Sequence, residues 1–470
     1  MSGTASADRS SFRDPAGHVF EADGRIFRSI GAAGLVAYRQ AVASGALRSL
    51  IDRGLVVGTT EVGPGSVPRG IGEAGIVVEH PKVPFVSYPF EWSFPALKAA
   101  ALHHLRVQLE ALRFGMHLSD ASAYNIQFVG PNPVLIDILS LVPYEEGSYW
   151  NGYLQFCEQF LNPLLLRSTL GILHNHWYRG SLRGLDTADL DALLPWYRKL
   201  SPNMLMHVVL PARARRFAVE QRERATRALE NARRKPFPRA ALVSLLRGFE
   251  RWIERLEPRG HTVTAWGDYT QDHAYLPQEE DDKQRFIRKF VAATRPAMLW
   301  DLGCNVGVYA SLALECGADY VVGFDFDPAA IERAYRRALA DRLRFLPLQL
   351  DAMNPSPDQG WDEHERRGLR SRGPAAALLA LAIVHHLAIA HNVPLNRVVA
   401  WLVSLAPAGV VEFVPKSDPA VRLMLAARRD IFDDYLPESF EYALRQRTEI
   451  IDRAVITASG RTLYRYAAHP

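Results

Sequence analysis

The apolar positions of this chain change rhythm near its middle. From Phe94 to Phe114 they recur at helical spacing, with Leu97, Ala101, Leu105, Leu109 and Leu112 on one stripe. That period predicts an amphipathic helix. Before it come strand-like pieces, His18–Phe20 and Arg25–Ile30, a helix-like run, Leu35–Arg53, and a Gly- and Pro-rich loop, Val62–Gly75. After it, two short strands, Ile126–Val129 and Val134–Ile138, flank a turn at Asn132–Pro133. From Tyr149 to about Leu256 the pattern is almost entirely helical. Within that run Ala212–Pro238 carries i,i+4 opposite charges, such as Glu220–Arg224, that suit an exposed helix. Glu257–Gly260 breaks the pattern. A helix, Asp281–Thr294, then leads into strands and helices that alternate to about Val414. Such alternation marks a parallel α/β sheet. The expected organisation is a disordered leader over residues 1–13, a helix-rich α+β domain over 14–256 and an α/β domain over 261–470.

Composition changes this picture little. Hydrophobic residues make up 48% and charged residues 23% of the 470, an ordinary globular balance. The net charge of +4 is mild, so no nucleic-acid partner is expected. Cys157, Cys304 and Cys316 fit neither a disulfide framework nor a zinc site. Reduced thiols, no metal and a cytoplasmic location are the simplest expectation. The first 14 residues lack the apolar core of a secretory signal. The most apolar stretch, Ala375–Ala390, is interrupted by His385 and His386, short of the roughly 20 residues a membrane helix needs. No membrane span is expected.

The candidate chemistry lies at strand ends in the C-terminal half. Leu299–Leu302 is an apolar strand followed by the turn Gly303-Cys304-Asn305-Val306-Gly307 and a helix, Val308–Cys316. Glycines let the backbone pass close to a ligand, and ligands of parallel sheets lie at the carboxyl ends of strands. The next strand, Tyr320–Phe324, runs into Asp325-Phe326-Asp327-Pro328. An acid there is placed for ribose hydroxyls, with Asp325 the first choice and Asp327 the second. A third strand, Leu343–Leu350, ends at Asp351, a fourth, Ala375–Val384, at His385-His386, and a fifth, Gly409–Val414, contains Glu412 and leads to Lys416.

These motifs, in this order and spacing, resemble the class I S-adenosylmethionine (SAM)-dependent methyltransferases, which implies a Rossmann-like, mostly parallel seven-stranded sheet and SAM as cofactor. The resemblance assigns Asp301, Gly303, Cys304, Asn305 and Gly307 to the methionine and sulfonium side of SAM, Asp325 to the ribose, Phe326 to the adenine face, and Asp351 with Ala352 to the adenine amino group. Asn305 stands where the family's commonest pattern has glycine, and asparagine tolerates the left-handed conformation such a turn needs. A dinucleotide-binding unit is the competing reading, but the turn is Gly303-x-x-x-Gly307 and not G-x-G-x-x-G. His385 or His386 is the candidate base if the acceptor must lose a proton. Tyr275 and the segment Trp266–Tyr269 are candidates for a lid.

In the N-terminal half, Asp120 and Asn125, then Asp137 after a short hairpin, resemble the catalytic core of protein-kinase-like folds. The match would make Asp120 a base and Asn125 and Asp137 magnesium ligands. No glycine-rich loop precedes them, Arg28 and Lys82 are poor substitutes for a strand lysine, and Ile138-Leu139 follow Asp137 in place of Phe-Gly. A degenerate kinase-like scaffold without phosphotransfer follows. The whole arrangement resembles nodulation-protein NoeA-like methyltransferases, which implies a small-molecule or glycan acceptor. The alternatives are a non-catalytic SAM- or nucleotide-binding scaffold and a bifunctional kinase–methyltransferase.

Overall fold

A computed structural model describes residues 4–71, 75–221, 236–260, 275–426 and 428–469. The chain divides into two compact units, Met1–Phe128 with Asn132–His261, and Val129–Pro131 with Thr262–Pro470.

The first unit opens with a five-stranded antiparallel sheet in the order β1-β2-β3-β5-β4. Its strands are β1 (Ser6–Ala7), β2 (Val19–Ala22), β3 (Arg25–Ile30), β4 (Thr60–Glu61) and β5 (Ile76–His80). Ser6–Ala7 pairs with Phe20 and Glu21, so the stretch expected to be a disordered leader adds an edge strand. Asp23 and Gly24, both at positive φ, close the β2–β3 hairpin with a two-residue turn whose twist suits the strands. The single helix expected over Leu35–Arg53 is two, Ala32–Ala43 and Ala46–Asp52. Gly45, at φ 79°, reverses the backbone between them.

The helix Phe94–Arg113 forms as its period predicts, with the Ser93 hydroxyl accepting from the Ala96 N–H at 3.4 Å. Strand β6 (Met116–Leu118) pairs with β9 (Leu141–Pro143), and β7 (Ile126–Val129) with β8 (Asn132–Leu135). The hairpin turn comes two residues earlier than expected. Gly130 takes the positive φ, 59°, and Asn132–Pro133 already belong to the second strand. Most of the remaining described residues of the unit are helical, including Leu210–Glu220 and Arg239–Glu254.

The second unit is a seven-stranded sheet in the order β12-β11-β10-β13-β14-β16-β15. The strands are β10 (Leu299–Leu302), β11 (Val321–Asp325), β12 (Phe345–Gln349), β13 (Ala377–Ala380), β14 (Ala408–Phe413), β15 (Thr448–Val455) and β16 (Thr462–Ala468). The first five are mutually parallel, and β16 is antiparallel to both neighbours. Leu299, Val321, Phe345, Leu379 and Val410 share one core with Ile287, Phe290 and Val291 of the helix Pro277–Thr294 and with Ile331, Ala334 and Ala338 of the helix Pro328–Ala340. Strands covered on both faces read as near-continuous apolar runs. The fourth strand is shorter than expected. Ala382 takes φ 52°, which breaks the ladder, and His386–Ala390 winds as a π-helix.

Gly307 lies at φ 80°, and a Cβ there would stand 2.5 Å from Cε1 of Phe345. Gly307→Ala therefore adds a left-handed penalty and an overpacking penalty, about 3 kcal/mol together. At Gly303, also left-handed, a Cβ would meet nothing nearer than 3.7 Å, so Gly303→Ala costs only about 1–2 kcal/mol. Chemical denaturation of both variants checks the ranking, and equal stabilities would contradict it.

Candidate active site

The strand order reverses between β10 and β13. On one side the sheet continues to β11 and β12, on the other to β14. Connections that leave in opposite directions open a crevice at the carboxyl ends of those two strands. The turn after β10 lies there, with Gly303, Asn305 and Gly307 at φ 81°, 48° and 80°. The N–H groups of Gly303 and Cys304 donate to the Phe324 carbonyl at 2.8 and 3.0 Å.

Asp325 ends β11, and its carboxylate holds the turn. The Asn305 N–H donates to Oδ2 at 2.8 Å and the Asp327 N–H to Oδ1 at 2.9 Å. Burial pushes this carboxyl up to about 6, against the two N–H bonds. Asp327 is committed elsewhere: it caps the helix Pro328–Ala340, accepting from the Ala329 N–H at 2.8 Å. Asp301 is buried in β10. Burial first, then the charge of Asp325, push its carboxyl up to about 7. Its Oδ2 is buried without a hydrogen-bond partner among the described residues. Cys304 is buried, and burial raises its thiol well above the ordinary range, so it is a packing residue and not a nucleophile.

Phe326 is exposed. Asp351 lies beyond β12, exposed, its Oδ1 accepting from the Met353 N–H at 2.8 Å. Ala352 and Met353 line a cavity of about 500 Å³ together with Leu369, Leu387, Arg397 and Trp401. The cavity includes none of Asp301, Gly303, Asp325 or His385, so it is not the crevice.

The His385 and His386 rings stand 4.2 Å apart. His385 is buried, with neither ring nitrogen hydrogen-bonded among the described residues. Burial lowers its pKa well below the usual value and takes His386 down to about 4. Both are neutral imidazoles near pH 7.

Beside them is a buried ionic network. Lys283, from the helix Pro277–Thr294, pairs with Glu412 Oε2 at 2.8 Å and donates to the Tyr275 hydroxyl at 2.8 Å. The Tyr275 hydroxyl in turn donates to Glu412. Arg461, in the β15–β16 turn, reaches that hydroxyl at 3.0 Å and clamps Asp418 with two bonds of 2.8 and 2.9 Å. Burial works to lower the Lys283 pKa, and the charge of Glu412 more than reverses it. Lys416 points elsewhere, to Asp430 at 2.8 Å. The lid candidate Trp266–Tyr269 lies outside the described residues.

With this geometry in hand, comparison with known proteins is informative in one case. No protein-family model matches the chain. Nodulation protein NoeA of Rhizobium meliloti (strain 1021) is 44% identical over 456 residues, 97% of this chain and 95% of that protein. The chain belongs to the NoeA family. A ribosomal protein L11 methyltransferase of Photobacterium profundum is 34% identical over 106 residues, 20% of this chain and 33% of that protein. Among solved structures, the N-methyltransferase NodS of Bradyrhizobium japonicum WM9 with S-adenosylhomocysteine matches at a TM-score of 0.31 and 10% identity, over 44% of this chain and 100% of that one. That last likeness is too slight to carry an argument.

In the N-terminal unit of this NoeA-family chain, Asp120, Asn125 and Asp137 do come together. Asn125 Nδ2 donates to Asp120 Oδ1 at 3.1 Å and to Asp137 Oδ2 at 3.3 Å. Burial first, then the charge of Asp137, push the Asp120 carboxyl up to about 6. Arg28, discounted from the sequence, reaches Asp137 Oδ1 from β3 at 2.9 Å and also pairs with Asp14. Lys82 instead pairs with Glu21.

Sequence reasoning missed Lys283, Asp418 and Arg461. The one available signal was Lys283 standing on the buried stripe of its helix with Ile287, Phe290 and Val291, a position where an unpaired lysine would not be tolerated. Lys283→Met leaves Glu412 short of its buried partner and is expected to cost about 3 kcal/mol. The double variant Lys283→Met/Glu412→Leu recovers most of that loss. Thermal unfolding reads both, and a single variant as stable as the parent would remove the network from the list of structural supports.

Proposed function

We propose that the C-terminal unit transfers the methyl group of SAM to a small-molecule or glycan-type acceptor. The protein is a SAM-dependent methyltransferase, and SAM is its cofactor. One observation carries the reading: a left-handed turn at the switch point of the sheet, with the unpartnered Asp301 Oδ2 on one side and Asp325 on the next strand end.

The residues fit that cofactor. SAM is cationic at its sulfonium and its ammonium, and a buried carboxylate oxygen without a donor suits a cation. The backbone over Gly303 is open, since a Cβ there would meet nothing within 3.7 Å. Asp325 would take the ribose hydroxyls, Phe326 would lie against the adenine, and Asp351 with Ala352 would face its amino group. SAM supplies a methyl group on a good leaving group. The protein's task is then to orient, exclude water and hold charge, which is worth several kcal/mol in near-attack geometry, on the order of 7–11 at best. Burial takes His386 down to about 4 and His385 well below the usual value, and such weak bases remove protons poorly at neutral pH. His385 and His386 are therefore assigned to shaping the acceptor side. Three free cysteines suit a reducing compartment such as the cytoplasm.

The N-terminal unit is read as a kinase-like scaffold without phosphotransfer. Asn125 and Arg28 already satisfy Asp137, and an acid neutralised by a guanidinium is a poor magnesium ligand.

Titration calorimetry with SAM and S-adenosylhomocysteine tests the assignment. Saturable binding is expected, weakened at least about tenfold (roughly 1.4 kcal/mol) by Asp325→Ala. Asp301 supplies the pH dependence. Its carboxyl is raised to about 7, and a cationic ligand favours the ionised form, so affinity rises between about pH 6 and 8. Asp301→Asn flattens that rise. For stability without ligand the sign is opposite. The folded unit holds this proton above the unfolded value of 3.8, so the contribution is fullest at low pH and is lost as pH rises through about 7. No binding by the parent protein would sink the reading.

A further inference from the structure

The N-terminal unit carries a strip of large apolar side chains that the described residues of that unit leave uncovered. Trp196 is 74% and Leu200 61% exposed, with Tyr197 exposed between them. The helical run that follows begins at Pro202 and reaches Glu220. It buries Met204, Val208, Val209 and Ala212. Its outward side carries Met206, Leu210 and Phe217, all exposed, Met206 by 58%. Scattered apolar residues are ordinary on a surface. A strip of six that includes Trp, Tyr and Phe marks a site of contact.

The charges around the strip select the partner. From Trp196 to Val219 the sequence has Arg198, Lys199, Arg213, Arg215 and Arg216 and no Asp or Glu. Lys199 and Arg216 pair with Asp191, and Arg215 with Glu158 and Asp186. Arg198 and Arg213 have no ion pair among the described residues, and Arg198 lies over the Tyr197 ring at 5.7 Å. Trp and Tyr favour the headgroup level of a bilayer, aliphatic side chains reach the acyl boundary, and arginines meet lipid phosphates. A second copy of the chain would bring an identical acid-free strip against this one, like charge facing like.

We propose that this strip docks the protein on the surface of an anionic phospholipid bilayer. The contact is peripheral, because no helix among the described residues is long and apolar enough to cross a membrane. It is independent of the methyl-transfer reading.

Co-sedimentation of the full chain with vesicles of phosphatidylcholine alone, or of phosphatidylcholine with phosphatidylglycerol, tests it. Binding to the anionic vesicles is expected to exceed binding to the neutral ones about tenfold at low salt, and to fall as salt rises. Met206→Glu/Leu210→Glu/Phe217→Glu should abolish it, whereas Leu423→Glu, an exposed leucine of the other unit, should not. If the triple variant fails to fold, Arg198→Glu/Arg213→Glu provides the second test, with a several-fold loss on anionic vesicles only. Equal binding to both vesicle types, or none, overturns the proposal. Self-association lost in the triple variant without vesicle binding would assign the strip to a second copy of the chain instead.

Discussion

Asp325 accepts the N–H groups of Asn305 and Asp327 and so ties the turn after β10 to the end of β11. The turn carries three left-handed residues, Gly303, Asn305 and Gly307, and a backbone of that shape is not stable alone. The carboxylate and the Phe324 carbonyl hold it by three bonds, from the N–H groups of Gly303, Cys304 and Asn305. With the turn fixed, the helix Val308–Glu315 starts in register over the sheet, Gly307 clears Phe345, and the crevice stays open above β10 and β13. One residue thus couples the local strain of a loop to the placement of a site.

A second constraint is electrostatic. Lys283 and Arg461 carry two positive charges into the interior, and Glu412 and Asp418 carry two negative ones. Each ion is costly to bury alone, and the set is tolerable because every charge has an opposite partner and the Tyr275 hydroxyl joins the two pairs. The network fastens the helix Pro277–Thr294, the end of β14 and the β15–β16 turn to each other. Its positive end reaches toward Asp301, partly offsetting the burial that raises that carboxyl. The neutral histidines have the same origin: they are buried, near Arg461, and carry no charge near pH 7.

Periodicity made the elements legible where the signal was long or well punctuated. The helix Phe94–Arg113 and the strand–turn–helix around Asp301–Gly307 form within a residue or two of where the pattern put them. The errors have a common cause. Leu35–Arg53 splits at Gly45, the hairpin turns at Gly130 and not at Asn132, and β13 stops at Ala380, short of Val384. In each case a single residue at positive φ ends an element, and an apolar run by itself does not reveal which residue will take that conformation. Asp325 ranks first and Asp327 second by spacing, and the helix start that Asp327 caps separates their roles.

The sequence alone determined the alternation of strands and helices, the acids Asp325 and Asp351 after two of the strands and the membership of a glycine turn, because these are local patterns of polarity and backbone tolerance. Only the tertiary structure decided which charges meet. Lys283 and Glu412 are 129 positions apart and Arg461 and Asp418 are 43 apart, and no local pattern links them. The burial that raises the Asp301 carboxyl and keeps the histidines uncharged exists only after the sheet has closed around them. The same is true of Arg28 and Asp137, 109 residues apart by their numbers, whose pairing depends on how β3 folds against the Asp137 loop.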